Sequence, residues 1–203
     1  MRNALRLLAL LAVPGTLHAA TLEVEARSPE GAAIADAVAY ALPRGAAPFR
    51  KREAQVEQVD KQFVPLVSVV QTGTAVQFPN RDQIRHHVYS FSPPKPFELK
   101  LYVGTPVAPL VFDKPGEVVL GCNIHDHMIA YVYVVDTPYF AKTGADGKAR
   151  IEGLPAGEYD VKLWHYAQGL PAPDTRAVKL RADETVPAAW TISVRRMLPR
   201  PER

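Results

Sequence analysis

Cys122, His125 and Met128 stand at successive three-residue intervals in a single loop, Gly121-Cys122-Asn123-Ile124-His125-Asp126-His127-Met128, and a histidine pair, His86-His87, stands upstream. Cys122 is the only cysteine among 203 residues, and the other two methionines are Met1 and Met197. A thiolate, two imidazoles and a thioether are the donor set of a blue copper centre. Such a set suits neither Cu(I) nor Cu(II) fully. The ion therefore changes oxidation state with little movement, as fast single-electron transfer requires. Hydrogen bonds to the sulfur and a dry surround tune its potential.

Plainer chemistry competes with this reading. A lone buried cysteine often behaves as a small hydrophobe, and histidines often sit on surfaces. Zinc also accepts Cys and His, but a structural zinc site normally carries more cysteines. A thiol hydrolase built from Cys122 and His125 lacks an evident third group to orient the base. His125-Asp126-His127 has the His-x-His form used by multicopper oxidases, but six histidines in the chain are too few for one. There is no phosphate-binding loop, GxSxG or HExxH pattern. The expectation is a non-enzyme that binds one copper ion.

Residues 1–20 read as a secretory signal peptide. Arg2 and Arg6 give the charged start, Leu7 to Val13 the short apolar core, and His18-Ala19-Ala20 a small-residue end. The apolar run is too short to span a bilayer, and no other stretch comes close, so no transmembrane segment is expected in the mature chain. An exported, periplasmic protein with one thiol has no internal disulfide partner, and metal ligation removes that liability. The formal charge of +3 falls to +1 without Arg2 and Arg6, which gives no basis for nucleic-acid binding. Residues 196–203 form a short basic tail.

The elements that must carry the ligands read as β throughout. Leu22, Val24 and Ala26 alternate with polar neighbours, as do Phe97, Leu99 and Leu101, then Tyr159, Val161 and Leu163, then Trp190, Ile192 and Val194. That period marks half-buried strands. Turn signals such as Pro79-Asn80, Lys114-Pro115-Gly116 and Ala145-Asp146-Gly147 separate them, which argues for sandwiches. Expected strands run over 63–70, 75–78, 87–91, 97–103, 118–120 and 130–135. Residues 49–60 are read as a linker leading into a strand. Adjacent strand residues face opposite sides, so one of His86 and His87 serves the ion and the other faces solvent or the ligands' surroundings.

The segment Asn80 to Val88 resembles the first-ligand segment of cupredoxins, and Gly121 to Met128 is similar to the Cys-x-x-His-x-x-Met loop of amicyanin. The whole chain resembles bacterial plastocyanin-like proteins labelled methylamine utilisation protein. This implies ligands His86, Cys122, His125 and Met128, with His125 as the surface edge for electron exchange. His87 stands where cupredoxins carry an Asn that ties the ligand loops together. His87 and His127 are alternative or neighbouring ligands. Ile124, Ile129, Pro93 and Pro94 are the expected docking patch for a redox protein such as a c-type cytochrome or dehydrogenase.

The flanks, Leu22 to Leu42 and Thr143 to Val161, resemble the carboxypeptidase regulatory-like (transthyretin-like) sandwich, which implies a scaffold role. The expected layout is a signal peptide (1–20), first flanking strands and linker (21–57), a cupredoxin-like Greek-key sandwich (58–137), the rest of the flanking sandwich (138–195) and the tail. The expected fold class is thus all-β, with a copper sandwich inserted in or joined to a second small one. A non-redox copper chaperone or a cell-envelope interaction module is the alternative function.

Overall fold

The alternating patterns become strands in the computed structural model, which describes residues 19–50, 52–106, 108–168 and 174–195. In chain order these are β1 (Ala20–Arg27), β2 (Val38–Pro43), β3 (Glu53–Gln55), β4 (Glu57–Val59), β5 (Gln62–Val64), β6 (Val67–Gln71), β7 (Thr74–Gln77), β8 (His86–Ser90), β9 (Phe97–Tyr102), β10 (Leu110–Phe112), β11 (Gly116–Gly121), β12 (Ile129–Val135), β13 (Phe140–Lys142), β14 (Lys148–Leu154), β15 (Gly157–Trp164), β16 (Asp174–Leu180) and β17 (Thr185–Thr191). The protein is all-β. Among the described residues no helix is long and apolar enough to cross a membrane.

Two apolar cores form. Sheets β14-β1-β17 and β13-β2-β15-β16 enclose Leu22, Val24, Ile151, Val161, Leu163 and Trp190. Sheets β10-β7-β3 and β6-β12-β11-β8-β9 enclose Phe63, Phe78, Phe112, Leu120, Cys122 and Met128. The first core is built from both ends of the chain: β1 pairs antiparallel with β14 and parallel with β17. The second core is built entirely from the chain between β2 and β13.

An aromatic seam joins the two. Strand β12 is buried on both faces, which explains its unbroken apolar run. Ala130, Val132 and Val134 face the core that holds Cys122. Tyr131, Tyr133 and Val135 face Val38, Tyr40 and Trp164 of the other sandwich. Tyr133 stacks on Trp164 with ring centroids 4.2 Å apart, and Tyr131 stacks on Tyr166 at 4.7 Å. Three of the polar ends are paired. The Trp164 indole donates to Glu117 at 3.2 Å, and the Tyr40 and Tyr133 hydroxyls meet at 3.3 Å. Burying such rings with their polar ends paired keeps the apolar gain without orphaned donors.

Several sequence expectations change. The stretch 63–70 is not one strand: Pro65, which has no N–H to give a ladder, separates β5 from β6. Residues 53–55, expected as linker, are β3, which pairs in parallel with β7 in the sandwich that holds Cys122 and Met128. The boundary expected at residue 57 therefore falls inside that sandwich. Ala20, expected as the last signal residue, opens β1 and is fully buried. Residues 1–18 of the expected signal peptide and the tail 196–203 lie outside the described residues.

Candidate metal centre

The candidate centre sits where β8 begins and β11 ends. Gly121, the last residue of β11, pairs with Tyr89 of β8 and with Ile129 of β12. The turn that follows is tight, closed by a backbone hydrogen bond from Met128 N–H to His125 C=O at 2.9 Å. That turn presents Cys122, His125 and Met128 at one edge of the sandwich. Gly121 carries no side chain because the Tyr89 ring lies over its backbone: a Cβ there would meet the ring carbon bearing the hydroxyl at 2.7 Å.

His86, Cys122 and His125 come together. One donor atom from each lies within 4.8 Å of the others. The Cys122 sulfur is 3.9 Å from His125 Nδ1, and the His86 and His125 rings are edge to face at 5.0 Å between centroids. Cys122 and Met128 are buried and belong to the same apolar core. His125 is half-buried, which makes it the member of the group nearest solvent. Its pKa lies below the ordinary value, first through partial burial and then through the neighbouring His86, Lys61 and His127. The neutral ring that a metal needs is thereby favoured.

His86 is fully buried, and its two ring nitrogens differ. Nε2 meets the Asp82 carboxylate at 2.7 Å. Nδ1 is buried with no hydrogen-bond partner. A carboxylate only accepts, so Nε2 carries a proton and Nδ1 is the nitrogen left without a protein partner. An unpartnered buried nitrogen costs desolvation energy unless something fills it, and a metal ion does so.

Asp82 is itself well held. Burial pushes its carboxyl up, but the Lys61 and Asp60 amides and His86 outweigh that and leave it below the ordinary value. Asn80 frames the loop from behind: its side-chain amide donates to the Ile84 and Tyr102 carbonyls, each at 2.8 Å, and its oxygen accepts from the Asp82 N–H at 2.9 Å. Tyr102, paired with His86 across β8 and β9, has its hydroxyl pKa pushed up to about 12 chiefly by burial. Asn80 and Asp82 lie in the segment that resembles the first-ligand segment of cupredoxins, and the sequence pattern gives Asp82 no role of its own. No periodicity marks it, because it acts from a loop.

The remaining sequence candidates separate. His87 does not face solvent: it is 5% exposed. Its Nε2 meets Glu98 at 2.8 Å and its ring lies 5.5 Å from that of Tyr89, on the face of β8 away from Val88 and the core. Its Nδ1 also lacks a partner, but His87 is not in the group with Cys122. His127 is exposed, with its ring 6.0 Å from that of His125. Ile124 is 47% exposed beside His125, whereas Ile129 is only partly exposed and packs on the aromatic seam. Pro94 lies away from His125. Pro94 lies against Gly116, at the opposite end of β11, roughly 17 Å along a six-residue strand. The exposed apolar residues that do share the site's end are Ile84, in the loop held by Asn80, and Leu101 and Val103, either side of Tyr102.

No family model matches the chain, and no curated protein matches it. Among solved structures, it is similar to a Cu-containing nitrite reductase (NirK) from Thermus scotoductus SA-01, with 27% identity over 47% of this chain and 25% of that one, at a TM-score of 0.39. A purple cupredoxin from Nitrosopumilus maritimus matches with 21% identity over 40% of this chain and 99% of its own, at a TM-score of 0.36. A reduced amicyanin mutant matches with 19% identity over 48% of this chain and 98% of its own, at 0.38. The chain thus spans a quarter of the nitrite reductase's length.

Proposed function

We propose that this protein binds one copper ion through His86, Cys122, His125 and Met128 and carries single electrons between redox proteins outside the cytoplasm. The observation that carries the reading is the convergence of one thiol and two imidazole donors within 4.8 Å, with the buried His86 Nδ1 left open. The donor set suits copper better than harder ions, which favour oxygen ligands. Copper bound there supplies a one-electron couple.

The chain's own residues supply the rest. Cys122 and Met128 are packed in an apolar core, which keeps water from the sulfur donors. His86 is fixed from behind by Asp82. His125 offers the edge nearest solvent, and Ile124 and Ile84 give an apolar rim for a weak, short-lived encounter of the kind electron carriers make. The partner on this reading is a c-type cytochrome or a dehydrogenase. The second sandwich serves as a scaffold, and no catalytic turnover is assigned.

The test is to load the purified protein with copper. One equivalent should bind, and the Cu(II) form should show an intense thiolate-to-copper band in the orange-red that disappears on reduction and returns on oxidation. A colourless Cu(II) adduct rules out the thiolate site. A coloured site that never cycles assigns the protein to copper storage or delivery instead.

A further inference from the structure

We propose that Asp82 is a positioning residue for His86, and that the turn between β4 and β5 is the mount that holds it. The proposal rests on reading His86 as a ligand. It adds to the site a turn that belongs to neither ligand segment.

Asp60 and Lys61 are the two residues between β4 and β5, whose flanking pair is Val59 and Gln62. Both have positive φ, 52° and 57°. That is the backbone of a type I′ hairpin, which usually takes Asn-Gly because other residues are disfavoured there. Here two ordinary side chains accept it, and both amides point at one carboxylate. Asp60 N–H reaches Asp82 Oδ1 at 2.7 Å, and Lys61 N–H reaches Oδ2 at 2.9 Å. His86 Nε2 meets the same Oδ2 at 2.7 Å.

A second set of bonds straps the loop to β4. Arg81 N–H donates to the Gln58 carbonyl at 2.9 Å, and the Arg81 guanidinium holds Glu57 Oε1 at 2.8 and 3.0 Å. Three N–H donors therefore converge on two carboxylate oxygens that are largely buried, the Asp82 side chain being 14% exposed. Nothing but an acceptor fits there. His86 therefore donates from Nε2, and in the neutral ring the lone pair lies on Nδ1. A negative group behind the ring also makes it a stronger donor, which favours the more oxidised ion and lowers the reduction potential.

The first arm of the test needs no metal. In nitrogen-15-labelled metal-free protein, held above the ordinary histidine pKa, the His86 imidazole shifts should report the Nε2–H tautomer. Asp82→Ala should give a mixture. Asp82→Asn places an amide NH2 among three N–H donors and should also disturb the tautomer, so it carries the test if Asp82→Ala fails to fold. In the second arm, either variant should lose about 10- to 100-fold in copper affinity, and its copper form should have a raised reduction potential. The double change Asp60→Asn with Lys61→Gly keeps both backbone amides in the favoured turn and should leave the His86 tautomer unchanged. An Nδ1–H tautomer in the unaltered protein, or an Asp82 variant that folds and leaves tautomer and affinity as they were, overturns the proposal. If the tautomer behaves as expected and copper does not bind, the copper reading fails and the positioning of His86 stands.

Discussion

Each sandwich holds a buried histidine, and the two are completed differently. His165 belongs to the flanking sandwich. Its Nε2 donates to the Ala35 carbonyl at 3.1 Å, and its Nδ1 accepts from the Ala167 N–H at 3.1 Å. Both nitrogens are committed to backbone, so the neutral ring closes a loop and has no valence left. His86 has one nitrogen committed to Asp82 and the other buried and open. A side chain satisfied on both sides is part of the scaffold, whereas one held on one side only is poised to bind. The rule needs position as well: His87 is also half-satisfied, but it does not join Cys122 and His125.

The largest expected effect tests the poised side of this comparison. Cys122→Ser should abolish the orange-red band entirely while the fold persists, since the replacement is nearly isosteric. A band that survives would show the thiolate is not a ligand. Next comes His86→Ala, which should bleach or greatly weaken the site, while His87→Asn should leave it coloured. The reverse result would move the ligand register by one residue.

The scaffold side should respond in stability and not in colour. His165→Ala leaves the Ala35 carbonyl and Ala167 amide without partners in a buried place and should cost about 3 kcal/mol. Denaturant unfolding measures the loss, and the copper spectrum should be unchanged.

His165 also predicts a pH dependence. Burial, set against the Ala35 hydrogen bond and Asp36, leaves its pKa below the ordinary 6.5. The folded state therefore binds fewer protons than the unfolded chain in the window from that lowered value up to 6.5. Stability should rise with pH across this window and fall on acidification through it. His165→Phe should flatten that part of the profile in a comparison of unfolding midpoints, and an unchanged slope would assign it elsewhere.

The smallest effect belongs to the rim. Ile124→Lys should slow electron exchange with a c-type cytochrome by a fewfold to tenfold, about 1 kcal/mol or so in barrier, with the copper spectrum nearly intact. The same change at Pro94, against Gly116 at the far end of β11, should do nothing, and a slowing there would restore the docking patch to that end.

How much of this could be read without coordinates depends on sequence distance. The alternation in β1, β9 and β15 is legible, because period two follows from the geometry of a pleated strand whatever it packs on, whereas the alternation expected at Trp190, Ile192 and Val194 meets β17 only at Trp190. Cys122, His125 and Met128 could be picked out together because a tight loop keeps sequence neighbours close in space. The first histidine could be paired with them only by resemblance. Short strands such as β3, β4 and β10 were missed, since three residues carry too little pattern and are held by partners elsewhere.

The amino-acid sequence by itself determined the donor chemistry. One thiol, a cluster of imidazoles and a loop thioether leave few uses, and residue identity sets donor softness without reference to the fold. Tertiary structure decided which histidine, which nitrogen and which surface. A bulge between β8 and β9 and the pairing of β8 beside β11 turn His86 towards Cys122. A hairpin 21 to 22 residues upstream of Asp82 supplies the amides that fix it. The direction of β11 sends Pro94 to one end of the sandwich and Cys122 to the other. These are long-range contacts set by sheet pairing and burial, and no local pattern encodes them.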